Sequence, residues 1–184
     1  MGRLAKSNPQ PKILNLFGYT GAASIIMAQG GAHVYHVDSA KKILAWGEEN
    51  QAINQDRIRG KIHWKADDAM NYVKFCRKKG FRFDGILMDP PTWGTGVKKN
   101  EKWLFERDIN ALFDACAALL EVESFLLVTT HTPGVQKSAL ATLVSLMNPK
   151  LNLHCGDLGI RHLTDARILS AGVYALGSSW KYQP

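Results

Sequence analysis

Acidic residues close three of the apolar runs in this 184-residue sequence. Asp38 follows His33–Val37, Asp67 and Asp68 follow Ile62–Ala66, and Asp89 follows Phe83–Met88 with Pro90 and Pro91 directly behind it. A carboxylate at Asp38 is placed to accept hydrogen bonds from a vicinal diol, although it could equally cap the helix that starts at Lys41. Asp67 or Asp68 could cap a helix starting at Ala69 in the same way. The Asp89-Pro90-Pro91 step reads differently. Two prolines remove two backbone donors and stiffen the loop, leaving the Pro90 carbonyl unpaired and fixed in direction. A carboxylate beside a fixed carbonyl is an acceptor pair suited to an amine or a base edge. Acidic groups at three neighbouring strand ends receive a pyrophosphate poorly and a neutral or cationic nucleoside well.

The elements that must hold these groups begin with Lys12–Gly21. Ile13–Phe17 is an apolar run that reads as a buried strand, Gly18 and Gly21 break it, and Ala22–Gln29 follows with helical spacing. Strand, glycine turn and helix form the entry of a nucleotide-binding unit. There, glycines let backbone approach a ligand, and the helix N-terminus offers unpaired N–H groups. The dinucleotide fingerprint is only partly met, because Leu16 stands where its first glycine belongs.

Further along, His33–Val37, Ile62–Ala66, Phe83–Met88 and Ser124–Thr130 read as strands. Lys41–Ile53, Ala69–Lys79, Glu101–Leu120 and Gln136–Met147 read as helices. Two last strands, near Leu151–Cys155 and Ile168–Ser178, follow without a helix between them, which suits a hairpin with one antiparallel member. This alternation predicts an α/β, doubly wound Rossmann-like domain with a mostly parallel sheet, whose ligands collect at the carboxyl ends of the strands. Residues 1–11 read as a polar N-terminal extension and 12–184 as the domain.

Composition narrows the class. A hydrophobic content of 46% with 21% charged residues is that of a globular protein, with no apolar run long enough to span a membrane. Met1–Pro11 has no apolar signal core, and Cys76, Cys116 and Cys155 are far apart, so the expectation is a cytoplasmic protein with reduced thiols. The six histidines are scattered and no metal site is expected. His33 and His36 point to opposite faces of one strand, and His131, after Thr129 and Thr130, is the one placed for general-base work. The net charge of +7, with clusters at Arg57/Arg59/Lys61, Arg77/Lys78/Lys79/Arg82 and Lys98/Lys99/Lys102, permits a polyanionic partner such as RNA.

Taken together, Leu14-Asn15-Leu16-Phe17-Gly18-Tyr19-Thr20-Gly21, His36-Val37-Asp38-Ser39, Asp67-Asp68-Ala69 and Asp84-Gly85-Ile86-Leu87-Met88-Asp89-Pro90-Pro91 resemble a class I S-adenosylmethionine (SAM)-dependent methyltransferase. More closely, they resemble the large-subunit rRNA methyltransferase family. The resemblance runs from Lys12 to Trp180 and implies a seven-stranded sheet with a reversed final strand. It also implies SAM as cofactor, S-adenosylhomocysteine as product and RNA, above all rRNA, as partner. Within it, Asn15, Phe17, Gly18, Tyr19, Thr20 and Gly21 would surround the methionine moiety. Asp38, with Ser39, would bind the ribose, and Asp68 or Asp67 the adenine amine. Asp89 and Pro90 would orient the acceptor, with Pro91 beside them.

Two features depart from that family. Its cytosine-C5 members need a cysteine nucleophile just beyond the fifth strand, where this chain reads Thr129-Thr130-His131-Thr132. Many relatives also carry an RNA-binding domain ahead of the catalytic one, so this chain is either a fragment or relies on its own basic surface. The Asp-Pro-Pro step is also similar to that of exocyclic-amine methyltransferases, in which an aromatic residue stacks on the extruded base. Here Thr92 intervenes before Trp93, which could stack on a base or pack under its loop, and Lys98 and Lys99 could meet phosphate. Competing readings are a SAM-dependent methyltransferase of a small molecule or protein, a nicotinamide-dependent oxidoreductase, and a non-catalytic SAM- or RNA-binding module.

Overall fold

The computed structural model describes residues 10–95 and 102–181. The chain runs β1 (Lys12–Leu16), α1 (Ala22–Gln29), β2 (His33–Asp38), α2 (Lys41–Ile53), β3 (Lys61–Ala66), α3 (Ala69–Lys78) and β4 (Phe83–Met88). A short hairpin, β5 (Trp93–Thr95) and β6 (Lys102–Leu104), precedes α4 (Phe105–Ala117), β7 (Leu120–Thr130), α5 (Lys137–Met147), β8 (Asn152–Arg161) and β9 (Ile168–Ser178). Seven strands form one sheet in the order β3-β2-β1-β4-β7-β9-β8. β1, β2, β3, β4 and β7 are parallel to one another, while β9 runs antiparallel to both β7 and β8. The expected doubly wound sheet with one reversed strand is therefore present.

Alternation along β1 shows how the sheet is covered on both faces. Leu14 and Leu16 enter one core with Val73 of α3 and Leu112 and Phe113 of α4. Ile13 enters another with Ile25 and Ala28 of α1. Ile13, Leu14 and Leu16 are fully buried, each contributing roughly 1.5–3 kcal/mol of apolar transfer. Register then aligns the strand ends: Leu16 pairs with Val37 on one side and Met88 on the other, and Asp38 pairs with Ala66. The segments leaving β1, β2, β3 and β4 thus share one rim, at the point where the strand order reverses.

Several boundaries differ from the sequence reading; the strand expected from Ser124, for one, begins at Leu120, and the helix before it ends at Ala117 rather than Leu120. β1 stops at Leu16, because Phe17 turns into the left-handed region at φ 57°. The helix expected from Glu101 starts at Phe105, since Lys102–Leu104 pairs instead with Trp93–Thr95. β8 runs to Arg161, well beyond Cys155, because it pairs with β9 along its whole length. No helix among the described residues is long and apolar enough to cross a membrane.

Candidate active site

The glycine turn is pinned to its neighbours by backbone. Gly18 N–H donates to the Val37 carbonyl at 3.1 Å, and Gly21 N–H to the Gly18 carbonyl at 3.1 Å. Phe17 and Tyr19 both take positive φ, 57° and 49°, a conformation that costs a non-glycine residue free energy and persists only where surroundings enforce it. The two glycines are required from beneath. A β-carbon at Gly18 would sit 2.3 Å from Cε1 of His36, and one at Gly21 would sit 2.5 Å from the Trp64 ring. Close approach is the reason for these glycines, as the sequence suggested, but the groups that approach are protein rings.

His36 is the floor of the turn. Its side chain is fully buried, Nδ1 bonds Ser24 Oγ at 2.9 Å, and the ring lies 4.3 Å from that of Trp64. Burial lowers its pKa to about 4, opposed in part by the Asp38 carboxylate, so it is neutral at physiological pH. Asn15 belongs to the same buried group: its Nδ2 donates to Ser24 Oγ at 2.9 Å. It is 4% exposed and does not line the cavity, so its place is under the turn.

Above this floor opens a cavity of about 380 Å³. Phe17, Tyr19, Asp38, Ser39, Asp67, Asp68, Asp89 and Pro91 line it, joined by Val37, Ala69, Gly94, Trp103 and His131. Gly18, Thr20 and Gly21 shape the turn without lining the cavity, and the Thr20 carbonyl accepts from Asn50 Nδ2. No lysine or arginine appears among the described residues of the lining. Four carboxylates make a poor seat for a pyrophosphate and a good one for donor-rich or cationic groups.

The carboxylates are partly occupied already. Asp38 Oδ2 accepts from Tyr19 N–H and Oδ1 from Ala40 N–H, each at 2.9 Å, which leaves lone pairs on both oxygens for a diol. Asp67 Oδ1 accepts from Asp68 N–H at 2.8 Å. Asp68 caps α3, with Oδ1 accepting from Asn71 N–H at 3.0 Å. Capping and ligand contact are compatible here, because each of these two carboxylates uses one oxygen locally and both line the cavity. Asp89 is exposed at the end of β4, whereas Pro90 is buried and absent from the lining.

The acceptor side is closed with the help of Trp103, which the sequence reading did not single out. Trp103 Nε1 donates to the Pro91 carbonyl at 2.7 Å, and its ring lies 5.1 Å from Phe17. The β5–β6 hairpin therefore clasps the loop after β4 to the glycine turn. Thr92 Oγ1 donates to Thr132 Oγ1 at 3.1 Å, and Thr130 Oγ1 to the same oxygen at 2.9 Å, tying that loop to the end of β7 beside His131. Trp93 is 74% exposed and stands outside the cavity. Lys98 and Lys99 lie outside the described residues. Trp103 was hidden because its segment looks like the start of the following helix.

No cysteine lines the cavity. Cys76 and Cys116 are buried, with burial raising the Cys76 thiol to about 11 and pushing Cys116 up as well, and Cys155 is exposed on β8. A low-pKa nucleophilic thiol would need the opposite surroundings.

Comparison with known proteins agrees with this geometry. A Shewanella sp. (strain W3-18-1) protein named ribosomal RNA large subunit methyltransferase K/L is 34% identical over 122 residues, covering 65% of this chain and 16% of that protein. The chain thus matches only about a sixth of that relative's length. The crystal structure of a SAM-dependent methyltransferase from Agrobacterium tumefaciens superimposes with a TM-score of 0.89 at 29% identity, covering 97% of this chain and 59% of that one. Magnesium protoporphyrin IX methyltransferase from Synechocystis PCC 6803, solved with bound SAM, shares the fold at a TM-score of 0.59 and 16% identity, over 96% of this chain and 74% of that one. The sequence model of one family, described as RNA cap guanine-N2 methyltransferase, matches residues 10–129, well over half of the chain. With its class I methyltransferase fold and its acidic cavity, the chain belongs to the RNA cap guanine-N2 methyltransferase family.

Proposed function

We propose that this chain transfers a methyl group from SAM to RNA, and that the acceptor is a base of large-subunit rRNA. The observation that carries the reading is the ring of Asp38, Asp67, Asp68 and Asp89 around a cavity that has no lysine or arginine among its described lining residues. The donor-rich ribose and adenine of SAM fit that acceptor set, and its sulfonium is tolerated there. A dinucleotide's pyrophosphate is not, which argues against the nicotinamide alternative. When bound, SAM supplies an electrophilic methyl group on sulfur.

The chain's own residues do the rest. Asp38, with Ser39 beside it, accepts from the ribose hydroxyls, and Asp67 or Asp68 accepts from the adenine amine. Phe17 and Tyr19, held in place by the Gly18–Gly21 turn, enclose the amino-acid end. Asp89 holds the acceptor by its N–H and takes up the positive charge that develops as nitrogen attacks. Pro90 fixes the direction of the loop, and Pro91, clasped by Trp103, forms its wall. Positioning for in-line attack supplies much of the rate.

An exocyclic base amine is the acceptor we favour over cytosine C5. Covalent addition at C5 requires a thiolate beside the base, and the cavity has none. The guanine-N2 description of the matching family supports the same choice. Trp93, exposed and next in sequence to Gly94 of the lining, would stack on the extruded base, and Lys98 and Lys99 would meet its flanking phosphates. A cytoplasmic location fits three unpaired thiols.

The test is methyl transfer from labelled SAM to ribosomal subunits, naked rRNA, tRNA and a protein extract in parallel. Label in rRNA, recovered as an N-methylated base on nucleoside analysis, supports the proposal. Label in protein or a small molecule only would reject RNA as the substrate. Binding of SAM with no label in any acceptor would favour a binding module.

A further inference from the structure

We propose that the free edge of the sheet, formed by β3 with its neighbours β2 and α3, is a second RNA-binding surface that grips the substrate's phosphate backbone away from the reacting base. The inference rests on RNA being the substrate. β3 is the terminal strand of the seven. Its pleat places Lys61, His63 and Lys65 on one face, since Ile62 and Trp64 face the α1 side. Register adds His33 opposite Lys61 and Tyr35 opposite His63.

The face combines positive charge with stacked rings. Tyr35 and His63 lie 4.6 Å apart at 20°, His33 lies 6.3 Å from His63, and the track continues from Tyr35 to Phe81 at 6.0 Å and from Phe81 to Phe75 at 6.2 Å. Phe75 is 44% exposed. Around this track the chain carries Lys74, Arg77, Lys78 and Lys79, all exposed. Among the described residues, no ion pair involves any of these cations, nor Lys61 or Lys65. The positive field is felt locally: burial lowers the His63 pKa, and Lys61, Lys65 and His33 lower it further.

Edge strands often carry lysine to discourage sheet-to-sheet association. That accounts for a single charge, not for three cationic or titratable side chains in register with a stacked aromatic track. Lys61 and Lys65 lie four residues apart on the strand, about 13 Å, of the order of two successive phosphate steps of an RNA strand, with His63 between them. Rings between them offer bases or riboses a flat apolar surface. The face also leads to the site, because β3 ends at Ala66, directly before Asp67 and Asp68 on the cavity rim.

The test measures fluorescence-anisotropy binding of a fluorescein-labelled rRNA fragment across a salt series. Wild type, Lys61→Ala/Lys65→Ala, Phe75→Ala and a charge-matched control, Lys150→Ala/Lys181→Ala, are compared. Loss of two phosphate contacts is expected to flatten the slope of log affinity against log salt by about 2 in the β3 double variant. Phe75→Ala is expected to weaken binding about tenfold at every salt concentration without changing the slope. The control should keep the wild-type slope, and SAM affinity should be unchanged in all variants. Wild-type binding with an unaltered slope in the β3 variant would overturn this surface while leaving RNA methylation standing. Absence of RNA binding by the wild type would overturn both. Retention on anionic phospholipid vesicles without RNA binding would overturn it too, assigning the face to a membrane.

Discussion

Gly18→Ala separates two reasons for a glycine in the turn. The added methyl would lie 2.3 Å from Cε1, 2.6 Å from Nδ1 and 2.8 Å from Nε2 of His36. His36 cannot retreat easily, being fully buried, bonded to Ser24 and packed on Trp64. Overpacking of this kind costs about 1–3 kcal/mol. For a chain of this length that corresponds to a fall in Tm of roughly 2–12 °C, at about 2–4 °C per kcal/mol. Differential scanning calorimetry without ligand, followed by titration with SAM, is the assay. A lower Tm is expected even in the absence of SAM, with partial recovery in Gly18→Ala/His36→Ser, where the ring that clashes is gone. An unchanged Tm with a large loss of SAM affinity would refute the reasoning, because the glycine would then be needed for ligand approach alone.

Other perturbations probe the remaining parts of the site. His36 gains stability from being neutral. Its folded pKa of about 4 lies below the ordinary 6.5, so the unfolded chain binds more protons between those values. The contribution is complete above pH 6.5 and is lost as pH falls toward 4, about 3 kcal/mol in all. Urea unfolding from pH 7 to 4.5 should therefore show a steeper loss for the wild type than for His36→Asn. Asp89→Asn should keep SAM affinity, measured by calorimetry, while kcat falls about 100-fold or more. Trp103→Phe removes the hydrogen bond to the Pro91 carbonyl, worth about 0.5–1.5 kcal/mol. Its effect should appear in kcat and in KM for RNA rather than in SAM binding.

Much of the site was legible because strand ends carry it. An apolar run closing on a carboxylate is visible in one dimension, and parallel register then brings Asp38, Asp67, Asp68 and Asp89 to one rim without any knowledge of side-chain packing. The glycine turn was equally visible, although its cause was not, since His36 and Trp64 reach it from other strands. Asn15 looked like a ligand contact because it is polar at the end of β1. Its partner Ser24, itself bonded to His36, lies nine residues away, and only the fold makes it a buried support. Trp103 escaped because Lys102–Leu104 abuts a strongly amphipathic helix and pairs with a three-residue strand too short to carry a periodic signal.

The central claim is that the acidic cavity holds SAM through Asp38. Isothermal titration calorimetry of wild type and Asp38→Ala with SAM, S-adenosylhomocysteine and NAD tests it most directly. The account expects the wild type to bind SAM and S-adenosylhomocysteine but not NAD, and expects Asp38→Ala to lose about tenfold or more in affinity for both, as befits a lost charge-assisted hydrogen-bond acceptor of about 1.5–3 kcal/mol. NAD binding by the wild type, or SAM affinity indifferent to Asp38, would contradict it.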